Sequence, residues 1–188
     1  MDYSKLSKQD LKVKNATLCY DVKQKQMFYD EARAIVEKLD REYDQAKGSF
    51  PLLRYGKLKL MIKESTTEEN LEKTKPKPSE ESERQKSDKH RSNGSGGLLQ
   101  KVKEFSGNIE KVDMLNNPKY ESMTKQELAR ENEEKQKELE VLDRKSLRLF
   151  NRLDKLSRDY TTSKQLWPFP RYQQMKEMIK EVTYDTYI

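Results

Sequence analysis

Two long stretches of the chain repeat apolar residues at steps that alternate between four and three positions. In the stretch from Leu128 to Tyr160, seven of the ten repeat positions are apolar. An unbroken alternation of this kind is a heptad repeat, which is typical of coiled-coil helices. The sequence therefore predicts a long coiled-coil helix over residues 124–163. Its predicted seam contains Leu128, Asn132, Leu139, Leu142, Leu149, Leu153, Leu156 and Tyr160.

The same alternation occurs near the start of the chain and predicts a first coiled-coil helix within residues 1–48. No Gly or Pro interrupts the sequence between Lys8 and Lys47, and Ser7 is a suitable N-cap. Forty residues at 1.5 Å each would give a helix of about 60 Å. Its predicted seam contains Leu11, Asn15, Leu18, Val22, Tyr29, Val36, Leu39 and Tyr43.

The two seams can be superimposed with a constant offset along the chain. Leu11 then matches Leu128, and Asn15 matches Asn132. A buried Asn pair at this kind of position sets the register of parallel coiled coils. We therefore expect the two helices to pair in parallel, while an antiparallel hairpin or a homodimer of each helix stays open.

The segments between the long helices differ from them in composition. Residues 49–64 predict a short apolar helix or turn, although the alternation in residues 56–60 also fits a strand. Residues 65–97 are polar and charged and predict a flexible linker, because they cannot bury enough surface to offset the entropy of ordering. The Gly/Ser-rich residues 92–97 suggest a fusion junction as one hypothesis. Residues 98–117 predict a short amphipathic helix.

The last segment, residues 164–188, combines aromatic residues and prolines with a short apolar helix. Residues 167–170 predict a rigid, extended turn, followed by a helix from Arg171 to Val182. Trp is frequent at interface hot spots, so this segment could dock a partner, or Trp167 could fold back on the coiled coil. The candidate docking residues are Trp167, Phe169, Met175 and Met178.

The composition favours an elongated all-α protein over a compact globule. Charged residues make up 38% of the chain, whereas soluble domains contain about 25%. Long helices with narrow apolar stripes account for this surplus of charge. We therefore predict an all-α, elongated coiled coil or helical bundle with two long helices, short satellite helices and a flexible central linker.

The sequence contains no pattern that indicates catalysis. The only histidine is His90, in the predicted linker, and the only cysteine is Cys19. There is no Gly-rich phosphate loop and no set of metal-ligand spacings, so we expect no enzyme activity, cofactor, metal or small-molecule substrate. No apolar run is long enough to span a bilayer, and the first residues do not resemble a signal peptide. These features predict an intracellular protein, cytoplasmic or nuclear.

Two functions remain compatible with these features. The first is a structural or scaffolding subunit of a multiprotein assembly, forming hetero- or homo-oligomers through helix–helix contacts. The second is a basic helical module that binds nucleic acid or anionic membrane, suggested by the net charge of +6. A purely structural explanation is also open, because basic residues in the second half of the second long helix favour the negative end of the helix dipole. The candidate anion-binding residues on that helix are Arg144, Arg148, Arg152 and Lys155.

Overall fold

The computed structural model describes residues 3–75, 115 and 117–184, and these residues are helical without any strand. The all-α prediction is confirmed for them, and the alternating residues 56–60 lie in a helix. A short 3-10 helix, Tyr3–Lys5, precedes the first long helix. The α-helices are α1 (Lys8–Lys47), α2 (Pro51–Ser65), α3 (Glu68–Thr74), α4 (Lys119–Ser122), α5 (Lys125–Ser163) and α6 (Pro168–Thr183).

Side-chain caps explain where the two long helices begin. The Ser7 hydroxyl accepts a hydrogen bond from the Asp10 backbone N–H at 3.1 Å. Thr124 forms a reciprocal capping box, because its backbone N–H donates to the Glu127 carboxylate at 2.7 Å while its hydroxyl accepts from the Glu127 N–H at 3.3 Å. These bonds satisfy N–H groups that have no partner within the helix.

The described residues form two compact units, each of which contains part of α1 and part of α5. Unit 1 combines the residues before Gln26 with those of 115–142. One of its apolar clusters contains Tyr3, Leu11, Tyr120 and Leu128. The other cluster contains Leu18, Val22, Leu139 and Leu142. In the first cluster each side of the contact comes from one long helix and the short helix before it, and in the second cluster both sides come from the long helices alone.

Unit 2 combines residues from Gln26 to Lys75 with those from Asp143 to Tyr184. Its core contains α1 residues from Ala32 to Ala46 and α5 residues from Leu149 to Tyr160. The short helices complete this core with Leu58, Met61, Ile62, Met175, Met178, Ile179 and Val182. Because α2 and α6 both contribute, four helices supply the buried core of unit 2, which is larger than the core of unit 1.

The two long helices pack against each other, and within unit 1 the contacts follow the parallel register. In unit 1, the cluster with Leu11 and Leu128 comes first along both helices, and the cluster with Leu18 and Leu139 comes second. Every predicted seam residue is buried except Tyr29, which packs against the unit 2 core while partly buried. The apolar edges are therefore covered inside the chain itself.

The two seam asparagines are fully buried in unit 1, with no exposed surface. The Asn132 amide donates to the Leu11 carbonyl oxygen at 3.1 Å, which joins α5 to α1. The Cys19 thiol lies 3.4 Å from the Asn15 side-chain oxygen. A buried polar contact between two helices favours the register that satisfies it.

The structure differs from the prediction at the start of the proposed linker, because residues 68–74 form α3. Thr67 caps this helix by accepting from the Asn70 N–H at 3.2 Å, and the Asn70 amide donates to the Glu64 carbonyl at 2.7 Å. Leu71 packs against the unit 2 core and Thr74 is buried. Local capping and one apolar contact thus order residues that composition alone assigns to the linker.

The segment around Trp167 also differs from the prediction, because it begins a helix instead of forming an extended turn. Trp167 is the N-cap of α6, and Pro168 occupies the first turn. Proline is tolerated there, since its missing N–H would have no partner within the helix. Met175 and Met178 are buried in the unit 2 core, so these two candidate docking residues hold the fold together instead.

Several predictions concern residues outside the described ranges. They include most of the linker with His90 and residues 92–97, and nearly all of the short helix at 98–117. The terminal residues 185–188 are also outside them. These predictions stay predictions.

Candidate docking surfaces

An internal repeat relates the two long helices together with the segments around them. Residues 3–66 match residues 120–183 at an offset of 117 positions, with identical residues at 19 of 64 positions. Outside the seams, the identical residues include Pro51 and Pro168, and the sequence Met-Ile-Lys-Glu occurs at both 61–64 and 178–181. Two residues separated by this offset are called equivalent.

Equivalent residues make equivalent contacts in unit 2. Lys38 donates to the Glu64 carboxylate at 3.2 Å, and Lys155 donates in the same way to Glu181. Each carboxylate raises the pKa of its lysine above the ordinary value, mainly through this hydrogen bond. Both pairs are exposed, so we expect each to add little stability. The two equivalent ion pairs show that the repeat extends to the packing of α2 and α6.

Two equivalent tyrosines hold basic side chains at the ends of the long helices. The Tyr43 ring has the Lys47 ammonium 5.2 Å and the Arg54 guanidinium carbon 5.9 Å from its centroid. Around Tyr160, Lys164 and Arg171 occupy the equivalent places at 5.5 and 5.4 Å. Cation–π contacts of this length are attractive. Each half of the repeat therefore places two basic side chains at the junction between a long helix and the short helix that follows it.

The most exposed apolar side chains lie beside these cations. Five of the six most exposed large hydrophobic side chains in the described residues belong to two equivalent segments, 50–53 and 167–170. Trp167 is 83% exposed and Leu52 is 75% exposed, so Trp167 does not fold back on the long helices. We call this set the α2–α6 surface. It contains Phe50, Leu52, Leu53, Trp167 and Phe169.

The two segments of the α2–α6 surface lie at the same end of unit 2. The rings of Tyr55 and Tyr172 are in contact, with centroids 6.4 Å apart. Each tyrosine lies five residues after the first residue of its segment, which is less than two helical turns. α2 and α6 therefore contact each other close to their first turns, where the exposed apolar residues are located.

A second candidate surface runs along one face of α5 within unit 2. Arg144, Leu147, Arg148, Asn151, Arg152 and Lys155 line a shallow open groove there. The structure thus brings the four predicted anion-binding residues to one face. Arg144, Arg152 and Lys155 each also interact within the chain. Leu147, which is 45% exposed, adds an apolar centre that the prediction did not include.

Comparison with protein-family models, with curated proteins and with solved structures finds no match to this chain.

The described residues contain no arrangement that indicates metal or thiol chemistry. No group of three His, Cys, Asp or Glu side chains within the described ranges could hold a metal ion. Burial raises the pKa of the Cys19 thiol, and burial likewise raises the pKa of the Tyr120 hydroxyl that lies against it. Both groups therefore stay protonated near neutral pH. No helix in the described part of the chain is long and apolar enough to cross a membrane.

The signal for the α2–α6 surface was present in the sequence. The two seams superimpose at an offset of 117 residues. Beyond Tyr43 the same offset aligns Phe50 with Trp167 and Arg54 with Arg171. The heptad pattern did not draw attention to these residues, since they lie beyond both seams. Their exposure could not be read from the pattern, because Leu52 and the buried Leu58 belong to the same helix.

Proposed function

We propose that this protein is a non-enzymatic scaffolding subunit of a multiprotein assembly, built on a parallel coiled coil that forms within one chain. The observation that carries the proposal is the burial of both heptad edges against each other. A heptad edge that is already covered cannot recruit a further helix. The coiled coil therefore acts as a rigid support, and partners dock on surfaces outside the seam.

The groove along α5 is the surface that best fits a protein partner. Leu147 lies among Arg144, Arg148 and Arg152, so the groove combines an apolar centre with a basic rim. An amphipathic helix with acidic flanks would match it in both respects, in the mode where a helix lies in a groove. Basic rims of this kind accelerate association with acidic partners.

The equivalent face of α1 supports this assignment by contrast. Met27, Asp30 and Glu31 stand at the positions equivalent to Arg144, Leu147 and Arg148. The two halves of the repeat therefore share their pairing but differ in the charge of this exposed face. A binding role for α5 accounts for the difference, because packing between α1 and α5 does not require it.

Cross-linking mass spectrometry on the full chain in its native assembly tests the proposal. We expect cross-links from lysines near the α5 groove to other proteins, and we expect Arg148→Glu with Leu147→Asp to remove them. The matched control is Glu31→Lys with Asp30→Lys on the equivalent face of α1. A native protein that shows no intermolecular cross-links, or a variant that retains all of them, would contradict the proposal.

A second candidate is binding of nucleic acid along the same face, favoured by three arginines spaced four residues apart on α5. Phosphate contacts release counterions, so such binding should weaken steeply with salt. Titration of duplex DNA and of RNA against the wild type and the Arg148→Glu variant separates this candidate from protein docking. Equal affinity of both proteins at every salt concentration would exclude it.

A further inference from the structure

We infer that the α2–α6 surface is a membrane-contact site, at which the starts of α2 and α6 insert apolar side chains into the interface of an anionic lipid bilayer. This inference goes beyond the proposed scaffolding function and concerns a different surface. The site consists of the exposed residues Phe50, Leu52, Leu53, Trp167 and Phe169.

The first argument is the concentration of exposed apolar residues in two short segments. A soluble helix normally directs its large apolar side chains inward, and single exposed ones are common. Here they are grouped in equivalent segments that meet at one end of unit 2, next to the Tyr55–Tyr172 contact. Trp and Phe are the residues that favour the boundary between lipid headgroups and acyl chains.

The second argument is the charge around these segments. Residues 45–63 contain five basic residues and no acidic residue, and residues 160–176 contain three basic residues and no acidic residue. Elsewhere the chain mixes both signs closely, with 39 basic and 33 acidic residues in total. Lys47 is paired with Asp44, and the other basic residues flank the apolar side chains along the chain. This arrangement complements a surface of anionic headgroups over an apolar interior.

The third argument is that the structure holds three of these cations in place. The Arg54 and Arg171 guanidinium groups lie over the rings of Tyr43 and Tyr160. In both arginines the Nε atom is buried without a hydrogen-bond partner. Lys57 donates to the Ser49 hydroxyl at 2.8 Å, just before the first apolar segment. The cations therefore lie beside the apolar side chains, where headgroup phosphates would meet them.

Trp167 provides a direct readout, because it is the only tryptophan in the chain. The full-length protein is titrated with phosphatidylcholine vesicles that contain phosphatidylserine, and separately with phosphatidylcholine vesicles alone. We expect the Trp167 emission to shift to shorter wavelength only with the anionic vesicles. We also expect lipids brominated on their acyl chains to quench it.

Two variants test whether both segments contribute while Trp167 is retained. Phe50→Ser with Leu52→Ser, and Phe169→Ser alone, should each weaken partitioning into anionic vesicles by about tenfold. Lys57→Gln and Lys164→Gln should each weaken it by about fivefold, with the wavelength shift at saturating lipid unchanged. The matched control replaces exposed apolar residues elsewhere, as Met27→Ser with Val141→Ser, and should partition like the wild type.

The result that overturns the inference is an emission spectrum that stays the same at every concentration of anionic lipid. Binding that the Phe50 and Phe169 variants leave unchanged would also overturn it, since the contact would then lie elsewhere. A wavelength shift that depends on protein concentration without lipid would assign the surface to a second copy of the chain. None of these outcomes bears on the cross-links at the α5 groove, so the two proposals fail separately.

Discussion

The two halves of the internal repeat agree at their ends and differ in the middle. Of the 19 identical positions, none falls in residues 16–37 and their equivalents 133–154. At the ends the offset matches like with like, as in Leu39 with Leu156. In the middle it matches residues that differ, such as the small Ala32 with the large Leu149, both in the unit 2 core. The ends are therefore compatible with either half pairing with itself, whereas the middle favours pairing between different halves.

The physical reason lies in packing volume. A layer with two Leu149 side chains would be overfilled compared with the native layer, and a layer with two Ala32 side chains would leave a void. Lys25, which is buried in the seam, would also face a second buried ammonium if the first half paired with itself. The differences in the middle of the seam thus favour the intramolecular pair, while the end that contains Tyr43 and Tyr160 carries the shared contacts with α2 and α6.

The largest expected effect is at equivalent core positions of the two short helices. Ile62 and Ile179 are both fully buried in the unit 2 core. Ile62→Ala and Ile179→Ala should each lower the free energy of unfolding by about 2–5 kcal/mol, because each leaves a cavity. Denaturant unfolding should show similar losses for the two variants. A large loss for one and none for the other would contradict the equivalence of the halves, and the exposed Leu60→Ala serves as the control.

The offset predicts that Ala32 and Leu149, both in the unit 2 core, share a layer, so substitutions at the two positions should show strong coupling. Leu149→Ala alone should cost about 2–5 kcal/mol through a cavity, and Ala32→Leu alone about 1–3 kcal/mol through overpacking. The double variant restores the total volume, so it should be more stable than the sum of the two losses predicts. Denaturant unfolding of all four proteins gives the coupling energy, which we expect to be about 0.5–3 kcal/mol. Additive losses would show that the two residues do not share a layer.

We expect the buried residues Asn15 and Asn132 to lower the stability of their layer while favouring one register of the two helices. Asn132→Leu alone should cost about 1–3 kcal/mol, since it removes the buried hydrogen bond from the Asn132 amide to the Leu11 carbonyl oxygen. Replacing both residues with Leu should restore stability or raise it, while weakening the preference for one register. Thermal unfolding measures the first effect, and size-exclusion chromatography with light scattering detects new oligomers. A double variant that is less stable than the single variant would contradict the expectation.

The smallest effect is at the caps of the two long helices. Thr124→Ala and Ser7→Ala should each cost about 1 kcal/mol.

Hydrogen bonds from the Thr124 backbone and hydroxyl lower the pKa of Glu127 below 4.5. A lowered pKa means that this contribution is present above pH 4.5 and is lost as the pH falls through the folded-state value. The Glu127→Gln variant, which carries no titrating group at this position, should therefore lose less stability than the wild type between neutral pH and acid, as measured by the unfolding midpoint against pH. Equal acid sensitivity would show that the Glu127 bond is not maintained in solution.

Much of the helical framework could be predicted from local sequence. The heptad alternation placed the long helices at the residues where they occur, and Ser7 and Thr124 marked their starts. These features depend on neighbours within one or two helical turns, so they can be read along the chain. The Asn15 and Asn132 match also indicated the parallel register that the two buried clusters of unit 1 show.

The candidate surfaces depended on contacts between residues distant in sequence. Leu52 and Leu58 have the same chemistry and lie in the same helix, but Leu58 is fully buried and Leu52 is largely exposed. Met175 was predicted to dock a partner, but it packs in the core because α6 lies against α2 and the long helices. Composition likewise assigned α3 to a linker.

The sequence by itself determined which segments become helices and which edge of each long helix is apolar, because helical periodicity is a local property of the chain. Only the tertiary structure decided what covers each apolar edge. Burial is a property of the partner as much as of the residue, since the free energy gained depends on the apolar area that both sides remove from water. For that reason the starts of α2 and α6 remain exposed, while the equivalent seams cover each other.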